Sequence, residues 1–272
     1  MRIHIRHEIA QSFEPAVRFL NAILRLTPRS HESQHVVRWR VEIDGDSRIR
    51  AFDDPFGNCM HTLSMTGQTD RLHVLAEGVV ETFDAAGIVR ATAERFPPEL
   101  FLRETALTAP GDRLRQIARE IRGENAIERL HALLLRISGS EMAGETEQSQ
   151  QVRAQQQAQG VTEPATQMGA ASAERAKALA HDFIACARLI GAPARFVSGY
   201  FVNSDAAGGA HFWAEAYADG VGWIGFDPAN EICPHENHIR LAIGLDALDT
   251  AGVRTSPAPL PVTQTVEVRR QG

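Results

Sequence analysis

Apolar and polar residues alternate along the first third of the chain. Ile3 and Ile5 alternate with His4 and Arg6. His35-Val36-Val37-Arg38-Trp39-Arg40-Val41-Glu42-Ile43 continues with period two and stops at Asp44-Gly45-Asp46, a turn signal. Asp53-Asp54-Pro55-Phe56-Gly57-Asn58 predicts a second turn, because Pro and Gly set dihedrals that strands avoid. Leu72 to Glu81 reads as a further strand, with Gly78 as a candidate bulge. Strands at such spacing predict a small β-sandwich over residues 1–90. Glu14 to Leu26 fits a short helix or strands.

The period then changes. After Phe96-Pro97-Pro98, Leu114, Ile117, Ala118 and Ile121 recur at helical spacing, as do Ile127, Leu130, Leu134 and Ile137. Two helices separated at Gly123 follow, within a helical region 91–143. Residues 144–171 are rich in glutamine, with eight between Gln148 and Gln167 and no aromatic. That composition builds no core and predicts an exposed loop, a solvated helix or a disordered insert. From 172 an amphipathic helix is expected, because Ala176, Leu179, Ala180, Phe183, Ile184, Ala187 and Ile190 share one face. Ser172 would cap it, and Gly191 with Pro193 would stop it. Strands are then predicted over 194–202, 211–217, 223–227, 238–243 and 263–268, so residues 172–272 read as helix followed by sheet.

Composition narrows the function classes. The chain has 28 basic and 34 acidic residues, a formal charge of -6, which gives no reason to expect a nucleic-acid partner or a basic membrane patch. No apolar run approaches the ~18 residues of a membrane span, and the alternating start lacks the apolar stretch of a signal peptide. Cys59, Cys186 and Cys233 form a sparse, odd set without a CxxC pair, as expected of a cytoplasmic protein without a disulfide framework.

The hairpin of residues 211–227 holds the most informative chemistry. A register centred on Asp219 sets His211 opposite Asp227, with His211, Trp213 and Glu215 on one face opposite Asp227, Gly225 and Trp223. A histidine oriented by an aspartate is half of a nucleophile–His–Asp triad, although such pairs also occur as structural contacts. Cys233-Pro234-His235-Glu236-Asn237-His238 gathers a thiol and imidazoles, but a stable metal site needs three or four ligands and no second cluster is evident. No metal site is therefore assigned. His4/His7 and His31/His35 read as strand or surface histidines.

Several motifs in order carry a resemblance. Ala180 to Arg188, Gly191 to Tyr200, His211-Phe212-Trp213-Ala214-Glu215-Ala216-Tyr217 and Gly222-Trp223-Ile224-Gly225-Phe226-Asp227-Pro228-Ala229-Asn230 resemble the bacterial transglutaminase-like family. Residues 1–85, including Asp54-Pro55-Phe56-Gly57-Asn58, resemble its N-terminal β domain, and His238 to Gly244 its C-terminal strand. The resemblance implies an α+β protein, with an N-terminal β-sandwich-like domain and a papain-like core of helices on an antiparallel sheet. It implies a cysteine nucleophile at the start of the central helix, a base at His211 and an orienting carboxylate at Asp227. Trp213, Trp223 and Ser172 would line the cleft, and no cofactor is implied. Bacterial members are commonly linked with an ATP-grasp-type ligase and a helical partner protein, so the resemblance implies a peptide or protein partner.

One departure matters most. The family's helix begins Gly-Val-Cys-Gln-Asp-Phe-Ala-His, where this chain has Glu174-Arg175-Ala176-Lys177-Ala178-Leu179-Ala180-His181. Ala176 occupies the nucleophile's position, and a methyl group neither ionises nor forms an acyl intermediate. The neighbouring family residues are gone too, as in natural loss of a site. Cys186 lies ten residues on, ~15 Å along the helix, and reads as a buried thiol. The chain therefore reads as a catalytically inactive homologue whose vestigial cleft binds a peptide or protein or serves as a scaffold. Two alternatives stay open: an active amidase, peptidase or acyl-transferase with a relocated nucleophile (Ser172, Cys59 or a residue of the insert), and a purely structural subunit.

Overall fold

The computed structural model describes residues 1–44, 48–139, 165–202, 208–259 and 262–271, and the side chains of all of these except 48 and 165–170. Most of the Gln-rich segment, and with it the expectation of a loop or insert, lies outside the described residues.

Two antiparallel sheets organise the chain. The first is built on two very long strands, β1 (Arg2–Thr27) and β4 (Cys59–Thr82), flanked by β2 (Gln34–Ile43) and β3 (Arg48–Asp53) on the β4 side. The ambiguous stretch Glu14–Leu26 is thus strand. Along β1 the buried positions are odd at Ile3, Ile5, His7, Ile9, Gln11 and Phe13, then even at Leu20, Ala22, Leu24 and Leu26. Register shifts between Ser12 and Phe19 absorb the change of phase. A helical period would have scattered these residues round a cylinder, whereas alternation keeps them on one core-facing side.

Gly78 is not a bulge. It pairs regularly with Ile5 and Trp39, and the irregularity lies on β2 between Val36 and Arg38. A Cβ at Gly78 would sit 2.4 Å from the Trp39 ring and 2.4 Å from the Arg38 carbonyl oxygen, so close packing explains this glycine.

The second sheet runs β5 (Ile88–Val89), β8 (Gly222–Phe226), β7 (Gly209–Ala218), β6 (Ala194–Phe201), β9 (His238–Gly244). Helices α1 (Asp112–Glu120), α2 (Ala126–Ser138) and α3 (Ala165–Leu189) supply its packing partners. One core joins Leu130, Leu134, Leu179, Phe183 and Cys186 to Phe196, Ala214, Ala216 and Phe226 of the strands. A second joins the inner side of the first sheet to Tyr200, Val202, Ile239 and Leu241.

Two local readings change. Helix α3 begins at Ala165, so Ser172 is an exposed residue inside the helix and not its cap. The C-terminal strands β10 (Val253–Ser256) and β11 (Val262–Arg270) pair with β1 rather than with the core sheet, so the chain returns to its first sheet to end.

The resembling motif at residues 54–58 ties the two sheets together. Asp54 Oδ1 accepts from the Phe56 and Asn58 amides, and Oδ2 from Arg25 and the Asn58 side chain, all at 2.8–2.9 Å. Asn58 in turn donates to the Ile243 carbonyl and accepts from the Ile243 amide, at 2.8 Å each. A turn of the first sheet is thereby bonded to β9 of the second.

Candidate functional site

The hairpin β7–β8 pairs Ala214 with Phe226 and Glu215 with Gly225, a register centred on residue 220, not 219. Asp227 is therefore not directly across from His211. The two-residue offset preserves the face, and Asp227 reaches the histidine diagonally. His211 Nε2 lies 2.7 Å from Asp227 Oδ2. His211 is 6% exposed and Asp227 fully buried.

Asp227 is the hub of a larger network. Its Oδ2 also accepts from His238 Nε2 at 3.0 Å and from the Asn230 side-chain amide at 2.7 Å. Its Oδ1 accepts from the Ala229 and Asn230 backbone amides at 3.1 and 3.4 Å. Burial pushes this carboxyl toward the neutral form, but the hydrogen bonds from His211 and His238 outweigh burial and hold it far below the usual carboxylate range. The tautomers follow. His238 Nδ1 accepts from the His235 amide at 3.3 Å, so Nε2 carries the proton given to Asp227. His211 likewise directs Nε2–H at Asp227, leaving Nδ1 with its lone pair and without a hydrogen-bond partner among the described residues. His211, Asp227 and His238 offer three ligand atoms within 4.8 Å of one another. Metal coordination at His238 Nε2 would move its proton to Nδ1, against the His235 amide, so the donor set suits a hydrogen-bond network better than a cation.

The face beneath His211 is held by buried charge. Trp213 is buried, and its ring is 6.2 Å from His211 and 5.4 Å from His238. Two residues on, Glu215 accepts from Arg195 at 2.7 Å and from Arg240 at 2.7 Å. Arg195 also bonds Glu94 at 2.7 Å and lies 3.8 Å from the centre of the Trp223 ring. Burial raises the Glu215 pKa, but Arg240 and Arg195 together bring it to about 2. Trp223, expected at the cleft, packs instead on Arg195, Phe101 and Tyr217.

Ala176 is fully buried in α3. Its neighbours show what that turn of helix touches. Arg175 reaches the Ala229 carbonyl at 3.4 Å, and the Lys177 ammonium lies 5.2 Å from the centre of the Phe212 ring. The turn carrying Ala176 is thus set against the segments that carry Asp227 and His211. The thiols are engaged elsewhere. Cys186 is buried, donates to the Leu114 carbonyl at 3.5 Å and has its pKa pushed up to about 12 by burial. Cys233 lies 3.7 Å from His131 Nε2, and Cys59 starts β4. Among the described residues no thiol or hydroxyl is hydrogen bonded to His211.

Sequence reasoning had named His211, Asp227 and Trp213 and assigned no part to His238 and Asn230. Asn230 closes the resembling Asp-Pro-x-Asn run and was available as a signal. His238 comes from β9, two strands away from β7 in the sheet, and no spacing rule connects it to Asp227.

A long helix packed on an antiparallel sheet that carries a buried His–Asp pair is the arrangement of the transglutaminase-like class of papain-like folds. Residues 115–228 match the transglutaminase-like superfamily and residues 3–81 the bacterial transglutaminase-like N-terminal region, so the chain belongs to the bacterial transglutaminase-like family. It is 26% identical over 294 residues to an uncharacterized protein of Mycobacterium leprae, covering 99% of both. It is similar in fold to the crystal structure of a candidate cysteine protease from Cytophaga hutchinsonii, with a TM-score of 0.68 and 21% identity over 99% of this chain and 89% of that one. No helix among the described residues is long and apolar enough to cross a membrane.

Proposed function

We propose that this protein is a non-catalytic member of its family, which uses the cleft around His211 to hold a peptide or protein partner without turning it over. The observation that supports the reading is a buried methyl at Ala176, the position that aligns with the family's thiol, in a chain that keeps the His211–Asp227 pair. A triad without its nucleophile still has a base and an orienting carboxylate, but no atom to form the acyl bond. The network around Asp227 maintains the shape of the site independently of chemistry.

The test is an assay of the full chain on glutamine-containing peptides, read by mass spectrometry for hydrolysis or amine transfer. No turnover above background is expected, and Ala176→Cys alone should raise it by less than about a hundredfold, because Lys177 and Ala178 replace the family's Gln and Asp. Wild-type turnover abolished by His211→Ala would overturn the reading.

A further inference from the structure

Strand β2 pairs with β4 alone, so one of its edges is open among the described residues. The Asp44 amide donates to the His73 carbonyl at 3.2 Å and continues that ladder past Ile43. Backbone groups alternate in direction along a strand, so the N–H and C=O of Trp39, Val41 and Ile43 point away from β4 into the open edge. Side chains divide by face as well. Arg38, Arg40 and Glu42 are exposed, whereas Trp39, Val41 and Ile43 are half-buried at the border of the first sheet's core. An edge of this kind is commonly guarded by a proline, a bulge or charge. The stretch 38–44 has no proline, and the irregularity against β4 lies before it, between Val36 and Arg38. Charge is the remaining guard, and here its order matters.

The run Arg38-Trp39-Arg40-Val41-Glu42-Ile43-Asp44 is complementary to itself. An antiparallel copy turned about a two-fold axis at Val41 sets Arg38 against Asp44, Arg40 against Glu42 and Trp39 against Ile43. Every charge then faces its opposite. The outward backbone groups of Trp39, Val41 and Ile43 meet those of Ile43, Val41 and Trp39 of the copy, and the half-buried apolar side chains cover one another. Other two-fold registers fail on charge. An axis at Arg40 or Glu42 opposes that residue to itself, and one at Trp39 opposes Arg38 to Arg40. A shift by one residue sets charges against the apolar side. The partner that this edge fits is therefore a second copy of the chain, in the isologous arrangement of a two-fold dimer.

We infer that the protein forms a two-fold dimer in which two β2 strands join edge to edge about Val41 and make one continuous sheet. The inference goes beyond the reading above and is independent of it, so His211→Ala should dimerise as the wild type does. Sedimentation equilibrium of the full chain over about 1–300 μM tests it, the range suited to a small interface. The mass is expected to rise from that of one chain to that of two. The informative substitutions are at Arg38 and Asp44, because Arg40 is already bonded to Glu42 and Glu77 within the chain. Arg38 is exposed, and the Asp44 side chain is 79% exposed with His73 Nδ1 at 3.1 Å. Arg38→Glu and Asp44→Arg should each weaken the dimer about tenfold or more, because each sets like charges opposite one another twice. An equimolar mixture of the two variants should regain wild-type association, because every pair in the mixed dimer is again of opposite charge. The double variant carrying both changes should do so by itself. A wild type that stays monomeric throughout would overturn the inference. So would a dimer unmoved by either substitution, or a mixture and a double variant no better than the single variants.

Discussion

At the scale of single residues, the site depends on a few positions where no other side chain fits. Gly199 of β6 lies directly across from His211 on one side and Arg240 on the other. A Cβ there would be 2.1 Å from the Ile239 carbonyl oxygen and 2.5 Å from the Trp213 ring. Backbone cannot retreat as a flexible side chain can, so Gly199→Ala should cost about 3 kcal/mol, measurable as a fall in the urea midpoint at unchanged slope. A change below about 0.5 kcal/mol would show that β9 and Trp213 move freely. The role of this glycine was invisible in the sequence, because it comes from two strands that converge only in the sheet. His211, Asp227 and Trp213 were legible, since alternation along one strand is a local property. The legible part also contained an error: the hairpin register is shifted by two residues, and the shared face survived because side chains repeat every two positions.

At the scale of elements, α3 and β11 contrast. The amphipathic face of α3 was plain from Ala176 to Ala187, and those residues are buried as the periodicity required. Its start at Ala165 was not, because Met168 is the single large apolar residue of the added turns and one residue shows no period. Strand β11 was expected as a strand, but its partner was not. It pairs with Ile3–Gln11 of β1 and contributes Val268 to the core of the first sheet. Removing residues 262–272 would leave that edge of β1 unpaired and open the core beneath it. Such a truncation should lower the thermal midpoint by several degrees and cause self-association visible in light scattering, since an exposed edge templates further pairing. A truncated chain that stayed monodisperse with an unchanged midpoint would show that β11 contributes nothing to stability.

At the scale of the whole molecule, buried histidines couple folding to pH. Burial lowers the pKa of His7, His31 and His181 to about 4 in each case. His181 stacks on Phe196 and accepts from the Ala247 amide through Nε2 at 3.2 Å, a contact only the neutral ring can make. Below about pH 6.5 the unfolded chain takes up protons that the folded chain refuses until near pH 4, so stability falls through that window. Glu215, held at about 2, extends the loss below pH 4.5, where the unfolded carboxylate protonates and the folded one does not. Urea unfolding should therefore lose several kcal/mol between pH 7 and pH 4, and His181→Gln should flatten part of that slope. A stability independent of pH over this range would contradict it.

The sequence by itself determined most of the strands and helices, the face shared by His211 and Trp213, and which family the motifs resemble. All of these are written in local order: a period of two or 3.6, a turn residue, a run of neighbours. Only the tertiary structure decided that Asp227 serves two histidines, that Arg195 and Arg240 share one buried glutamate, and that the last strand returns to the first. Each of these joins residues distant in the chain, and their meeting is set by how the two sheets pack over a common core, a condition that no short window of sequence contains.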